Sequence, residues 1–121
     1  MSGPVRLSVG NDRAQASGSP LAHALRATGD HWTLLIALQL APGSTRLTEL
    51  RERLPGISTG VLERHITHMV EQGLVTRTRF REMPPRVEIE LTDSGRELLP
   101  VASTLESWGK RHRMKTQIGR R

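Results

Sequence analysis

A mainly α domain carrying one small β-hairpin (α+β) is the fold class this sequence predicts, on three observations. Apolar residues recur at helical spacing in successive segments between residues 20 and 73. Beyond Gly73 the period drops to two in two short runs, and a helical stripe returns after Thr92. The 121 residues suffice for one domain and contain no Cys, so neither a disulfide scaffold nor a thiolate metal site is possible. The longest apolar stretch, Leu34–Leu38, falls far short of the roughly eighteen residues a spanning helix needs. A cytoplasmic protein without membrane association is expected.

The elements follow in order. Residues 1–19 are rich in Gly, Ser and Pro without a sustained period, and are expected to form a flexible arm. Ser19 caps a helix opened by Pro20 and carrying Leu21, Ala24, Leu25 and Ala27, which Gly29 and Asp30 break. Asp30 is then expected to cap a second helix bearing Trp32, Leu35, Ile36 and Leu38, ending near Pro42-Gly43. Thr48 is expected to cap a short third helix with Leu47, Leu50 and Leu54 on one face, stopped by Pro55-Gly56. Ser58 caps a fourth, whose Val61, Leu62, Ile66, Met69 and Val70 form a 3.6-residue stripe closed by Gly73.

Val75 leads into Thr76, Thr78 and Phe80 alternating with Arg77, Arg79 and Arg81; Glu82–Arg86 turns; Val87, Ile89 and Leu91 alternate with Glu88 and Glu90. This is a two-stranded hairpin. Thr92 starts a last helix with Leu98, Leu99, Ala102, Leu105 and Trp108 inward and a kink or break expected after Leu99, because of Pro100. A helix–turn–helix followed at once by a hairpin is the plan of a winged helix-turn-helix.

In that plan the second helix of the pair enters the major groove of double-stranded DNA, its N-terminal residues nearest the bases. The outward positions here are Ser58, Thr59, Gly60, Arg64, Thr67 and His68, with Glu63 and Glu71 among them. Arg64 suits bidentate contact with guanine, and Ser58 and Thr59 can donate to phosphates or bases. On the wing, Arg79, Arg81 and Arg86 are expected to reach the minor groove or backbone. Arg77, with Arg79 to a lesser degree, is open to neutralisation by Glu88 and Glu90 across the strands. Arg64, Arg79, Arg81 and Arg86 are expected to share one surface.

Net charge is +6, from 18 Lys+Arg against 12 Asp+Glu, yet residues 1–109 hold twelve of each. The excess lies in Lys110, Arg111, Arg113, Lys115, Arg120 and Arg121, so 114–121 reads as a basic tail. Three aromatics argue against recognition of RNA by base stacking. His65 and His68 lack a third ligand of suitable spacing, and no nucleophile–base order or phosphate loop appears; no metal, cofactor or enzymatic activity is expected.

Leu25-Arg-Ala-Thr-Gly-Asp-His-Trp32-Thr-Leu-Leu-Ile36 resembles the "IGGKWTLLIL" segment of HxlR-type transcriptional regulators. Leu47–Arg51, Leu54–Ser58 and Val61-Leu62 resemble that family's helix-turn-helix. Gly73–Arg77, Pro84–Glu88 and Leu91–Gly95 resemble its wing and the start of its final helix. The resemblance spans residues 20–109, placing the domain at 20–113. It implies a MarR-related homodimer that binds operator DNA, with N- and C-terminal dimerisation helices at residues 20–28 and about 93–113.

The chain departs from the pattern in three places. Many members carry a Cys where this chain has Ser19, so thiol sensing is excluded here. A recognition helix often opening Ser-Pro-Arg-Val-Leu reads Ser58-Thr-Gly-Val-Leu62, and His65 and Thr67 stand where Arg is frequent. These departures motivate the alternative of a ligand-binding or protein-interaction module with weakened DNA contact. A small-molecule effector of unknown identity would occupy an apolar cleft near Trp32 and Trp108.

Overall fold

The computed structural model describes the backbone of residues 18–119 and the side chains of residues 18–112; most of the expected arm and the side chains of the basic tail lie outside the described residues. The chain divides into two compact units, residues 1–30 and 31–121. In the first, α1 (Pro20–Thr28) starts as expected: the Ala22 N–H donates to Ser19 Oγ at 3.0 Å and Pro20 stands at the first helical position. None of its residues is buried, and Leu21 and Leu25 are exposed.

In the second unit, α2 (Thr33–Gln39) begins after a bend through Asp30–Trp32, so Trp32 rather than Asp30 holds the N-cap position. Thr45–Arg46 form a two-residue strand, β1, before α3 (Leu47–Glu52). Thr48 is therefore already inside the first helical turn and cannot cap it. The Glu49 carboxylate instead accepts the Arg46 backbone N–H at 3.3 Å. Helix α4 (Thr59–Glu71) starts at the Ser58 cap and ends in a Schellman motif, with Leu74 N–H on the Met69 carbonyl (2.8 Å) and Gly73 N–H on Val70 (3.0 Å). Gly73 supplies the required positive φ of 76°.

The hairpin is β2 (Val75–Phe80) and β3 (Arg86–Leu91), and the antiparallel sheet order is β1-β3-β2. The third strand was invisible to the period-two criterion, since two residues cannot show alternation. Thr92 caps α5 (Asp93–Arg96), its Oγ1 accepting the Gly95 N–H at 3.0 Å. The same hydroxyl donates to the Gly73 carbonyl at 2.6 Å, tying the end of α4 to the start of α5. The break falls at Glu97, before Leu98, and α6 (Leu98–Gly119) continues through Pro100. Pro100 occupies the first turn, where no helical N–H partner exists to lose.

The core joins Ile36 and Ala37 of α2 and its C-cap Leu40, Leu50 of α3, Leu62, Ile66 and Met69 of α4, and Val75, Ile89 and Leu91 of the sheet. Each Leu, Ile, Val or Met among them, fully buried, contributes about 1.5–3 kcal/mol. Among the described residues of α6 only Ala102 is buried; Leu98 and Leu99 pack against the core edge. Leu105 and Trp108, expected inward, are 52% and 55% exposed, because one small core is filled before the helix reaches them.

Candidate nucleic-acid interface

Helix α4 turns its apolar stripe to the core and thereby presents the opposite face. Ser58, Thr59, Gly60, Glu63, Arg64, Thr67 and Glu71 are exposed, whereas His68 is half-buried. Ser58 Oγ accepts the Val61 N–H at 3.1 Å, which fixes the first turn. Gly60 has no positive φ and open space where a Cβ would stand, so backbone conformation does not require it. Its effect is a bare first turn, which permits close backbone approach. His65 Nδ1 lies 2.9 Å from the Val61 carbonyl, and no group of three or more His, Asp or Glu among the described residues could hold a metal.

The hairpin register decides what the arginines do. Val75, Arg77 and Arg79 stand opposite Leu91, Ile89 and Val87; Thr76, Thr78 and Phe80 stand opposite Glu90, Glu88 and Arg86. Directly paired residues share a face. Arg77 and Arg79 are therefore on the face that covers the core, and Glu88 and Glu90 are on the other. The expected cross-strand neutralisation of Arg77 and Arg79 does not occur. Arg77 instead donates from Nη1 to the Thr67 hydroxyl at 3.0 Å. Arg64, Arg79 and Arg81 are exposed and carry no hydrogen bond or ion pair among the described residues.

Arg86 is on the opposite face from Arg79, so the single arginine surface expected from the sequence is divided. Its guanidinium lies 4.0 Å over the Phe80 ring, with Nη1 2.8 Å from Glu82 and Nε 3.0 Å from Glu88. The Nε contact is an ion pair without hydrogen-bond geometry. Ser44 also donates to Glu88, at 2.8 Å. On this face of the wing the one guanidinium is thus outnumbered by the two carboxylates that hold it, whereas Arg79, on the face toward α4, has no carboxylate partner among the described residues.

The two features the sequence reading missed, the Arg77–Thr67 link and the Arg86 cluster, follow from one number. A five-residue connection from Arg81 to Pro85 pairs Phe80 with Arg86, and counting back from it sets every other pair. An open groove of about 530 Å³ lies between the hairpin tip and the start of α3, with Arg46, Thr48, Pro84 and Arg86 among its lining. A smaller apolar groove, about 230 Å³, lies between α2 and α6; Leu35, Leu38 and Leu105 line it and neither Trp does.

Comparison with known proteins sets these features in context. A model of the HxlR-like helix-turn-helix family matches residues 27–117. An uncharacterized HTH-type transcriptional regulator of Methanothermobacter thermautotrophicus is 34% identical over 87 residues, covering 72% of this chain and 66% of that protein. Among solved structures, a MarR-family protein from Porphyromonas gingivalis W83 superposes with a TM-score of 0.76 at 28% identity, over 88% of this chain and 97% of that one. The redox regulator HypR in its reduced form gives 0.75 at 28% identity, over 82% and 98%.

Proposed function

The chain belongs to the HxlR-like helix-turn-helix family, and on that premise we propose that it is a homodimeric DNA-binding transcriptional regulator. Helix α4 enters the major groove and the β2–β3 hairpin follows the adjacent minor groove or backbone. The observation that carries this reading is the register: it leaves Arg79 uncompensated on the face toward α4, beside the exposed run Ser58, Thr59, Gly60, Arg64 and Thr67. Arg64 reads base edges; Ser58, Thr59, Arg79 and Arg81 take phosphates. His68, half-buried at the edge of that face, completes it. Arg86 reaches DNA only by exchanging its two carboxylates for phosphate.

A second copy of the chain covers the surplus apolar surface. Leu35 on α2 and Leu105 on α6 are exposed and line the apolar groove, and Val101 and Trp108 are exposed a turn to either side of Leu105 on α6, which supports a partner on this face. Two-fold symmetry then sets the two α4 helices about 34–36 Å apart, one turn of DNA.

The test is binding to DNA from upstream of the chain's own gene at several salt concentrations, with the mass of the free protein measured by sedimentation. A dimer with one preferred site, and a linear fall of log affinity with log salt, is the expected result. No preference over random duplex at physiological salt overturns it.

A further inference from the structure

We propose that Met83 is an apolar minor-groove wedge at the tip of the wing, and so a residue that determines sequence preference; this rests on the DNA-binding reading above. Met83 is 94% exposed, the most exposed large hydrophobic side chain among the described residues. The others so exposed lie on helices; Met83 stands alone on the hairpin connection. A single exposed apolar residue is ordinary, but the surroundings of this one are not.

Pro84 and Pro85 follow it, both exposed. Neither has an N–H, and each ring fixes φ, so the tip is stiff and offers apolar surface rather than donors. Beneath it, Arg86 stacks on Phe80 and binds Glu82 and Glu88. That arrangement sets a guanidinium against the Glu82 carboxylate, adjacent to Met83, and so offsets its charge at the tip. Arg79 on β2 and Arg81 at the start of the connection, without partners among the described residues, lead up to the tip.

The minor groove is about 6 Å wide, and its sugar walls are apolar. Methionine and proline are among the side chains that enter it as wedges, unstacking a base step while flanking cations hold the phosphates. An unbranched thioether adapts to such a slot. The wedge accordingly favours pyrimidine–purine steps, which unstack most readily, at the wing position of the site.

The experiment uses the full chain and the duplex it selects from a random-sequence library. Met83→Ala and Met83→Gln are expected to bind that duplex about tenfold more weakly, as buried apolar contact is lost. The salt slope stays unchanged, because no charge is removed. Met83→Leu keeps affinity within about twofold, since apolar volume is conserved. Hydroxyl-radical protection at the flanking minor groove disappears in the Ala and Gln variants alone. Equal affinity and footprint for wild type and Met83→Ala overturn the wedge while leaving the regulator intact. Failure of the wild type to select any sequence overturns both.

Discussion

Arg77 on the wing and Thr67 on α4 are joined by a hydrogen bond of 3.0 Å from guanidinium to hydroxyl. The two residues belong to the two elements that are proposed to enter neighbouring grooves. Their link ties those elements together at the exposed edge of the core. We propose that Arg77 acts as a positioning residue as well as a charge.

That distinction is measurable. Thr67→Val removes the acceptor and no charge, so it should weaken specific DNA binding while leaving the salt slope intact. Arg77→Ala should weaken binding by a similar amount and lower the slope. The double variant should lose less than the sum, with a coupling of about 0.5–1 kcal/mol in a double-mutant cycle. Strict additivity would show the bond to be incidental.

Arg64 and Arg81 should behave differently from each other. Arg64→Ala is expected to cost about 1–3 kcal/mol on the preferred site and to relax preference at one base pair. Arg81→Ala should weaken binding to all sequences alike and reduce the salt slope by about one. Competition titrations against single-base variants separate the two outcomes; equal loss on every sequence for Arg64→Ala removes it from base readout.

Gly95 and Gly60 make an opposed pair. A Cβ at Gly95 would run into the Leu74 carbonyl oxygen, so Gly95→Ala should destabilise the fold by about 1–3 kcal/mol or more in urea unfolding. A Cβ at Gly60 meets nothing, and Gly60→Ala should stabilise α4 by about 0.5–1 kcal/mol. If the bare first turn serves close approach to DNA, the stabilised Gly60→Ala variant should nonetheless bind its site less tightly.

Thr92→Ala should cost about 2 kcal/mol, through loss of the Gly95 cap and of the bond to the Gly73 carbonyl. Thr92→Ser, which keeps the hydroxyl, should recover most of that stability. A loss unchanged by Ser would assign the effect to the methyl group.

Leu105→Glu with Trp108→Glu should leave helical circular dichroism intact, since both side chains are about half exposed in one chain. Sedimentation should report a monomer, and DNA affinity should fall steeply once two half-sites are no longer held by one particle. A variant that sediments as the wild type does would move the dimer interface elsewhere.

Local signals determined much of this protein. The caps at Ser19, Ser58 and Thr92, the stripe of α4, the left-handed turn at Gly73 and the two wing strands were legible because each is fixed by residues within one or two turns of chain. So was the family resemblance, carried by runs from Leu25 to Gly95. Where a local signal competed with chain direction it misled: Thr48 has a capping side chain, but a two-residue strand moves the N-cap position of α3 to Arg46, and Trp32 rather than Asp30 stands at the N-cap position of α2.

What only the tertiary structure decided is the partition of charge. Alternation along one strand tells which residues share a face, but not which face of the neighbour meets it; that needs the register. Pairing Arg77 with Ile89 rather than Glu88 released the arginines on one face and bound Arg86 to Glu82 and Glu88 on the other. The exposure of Leu105 and Trp108 likewise depended on how many side chains the core could hold, a sum over every element at once.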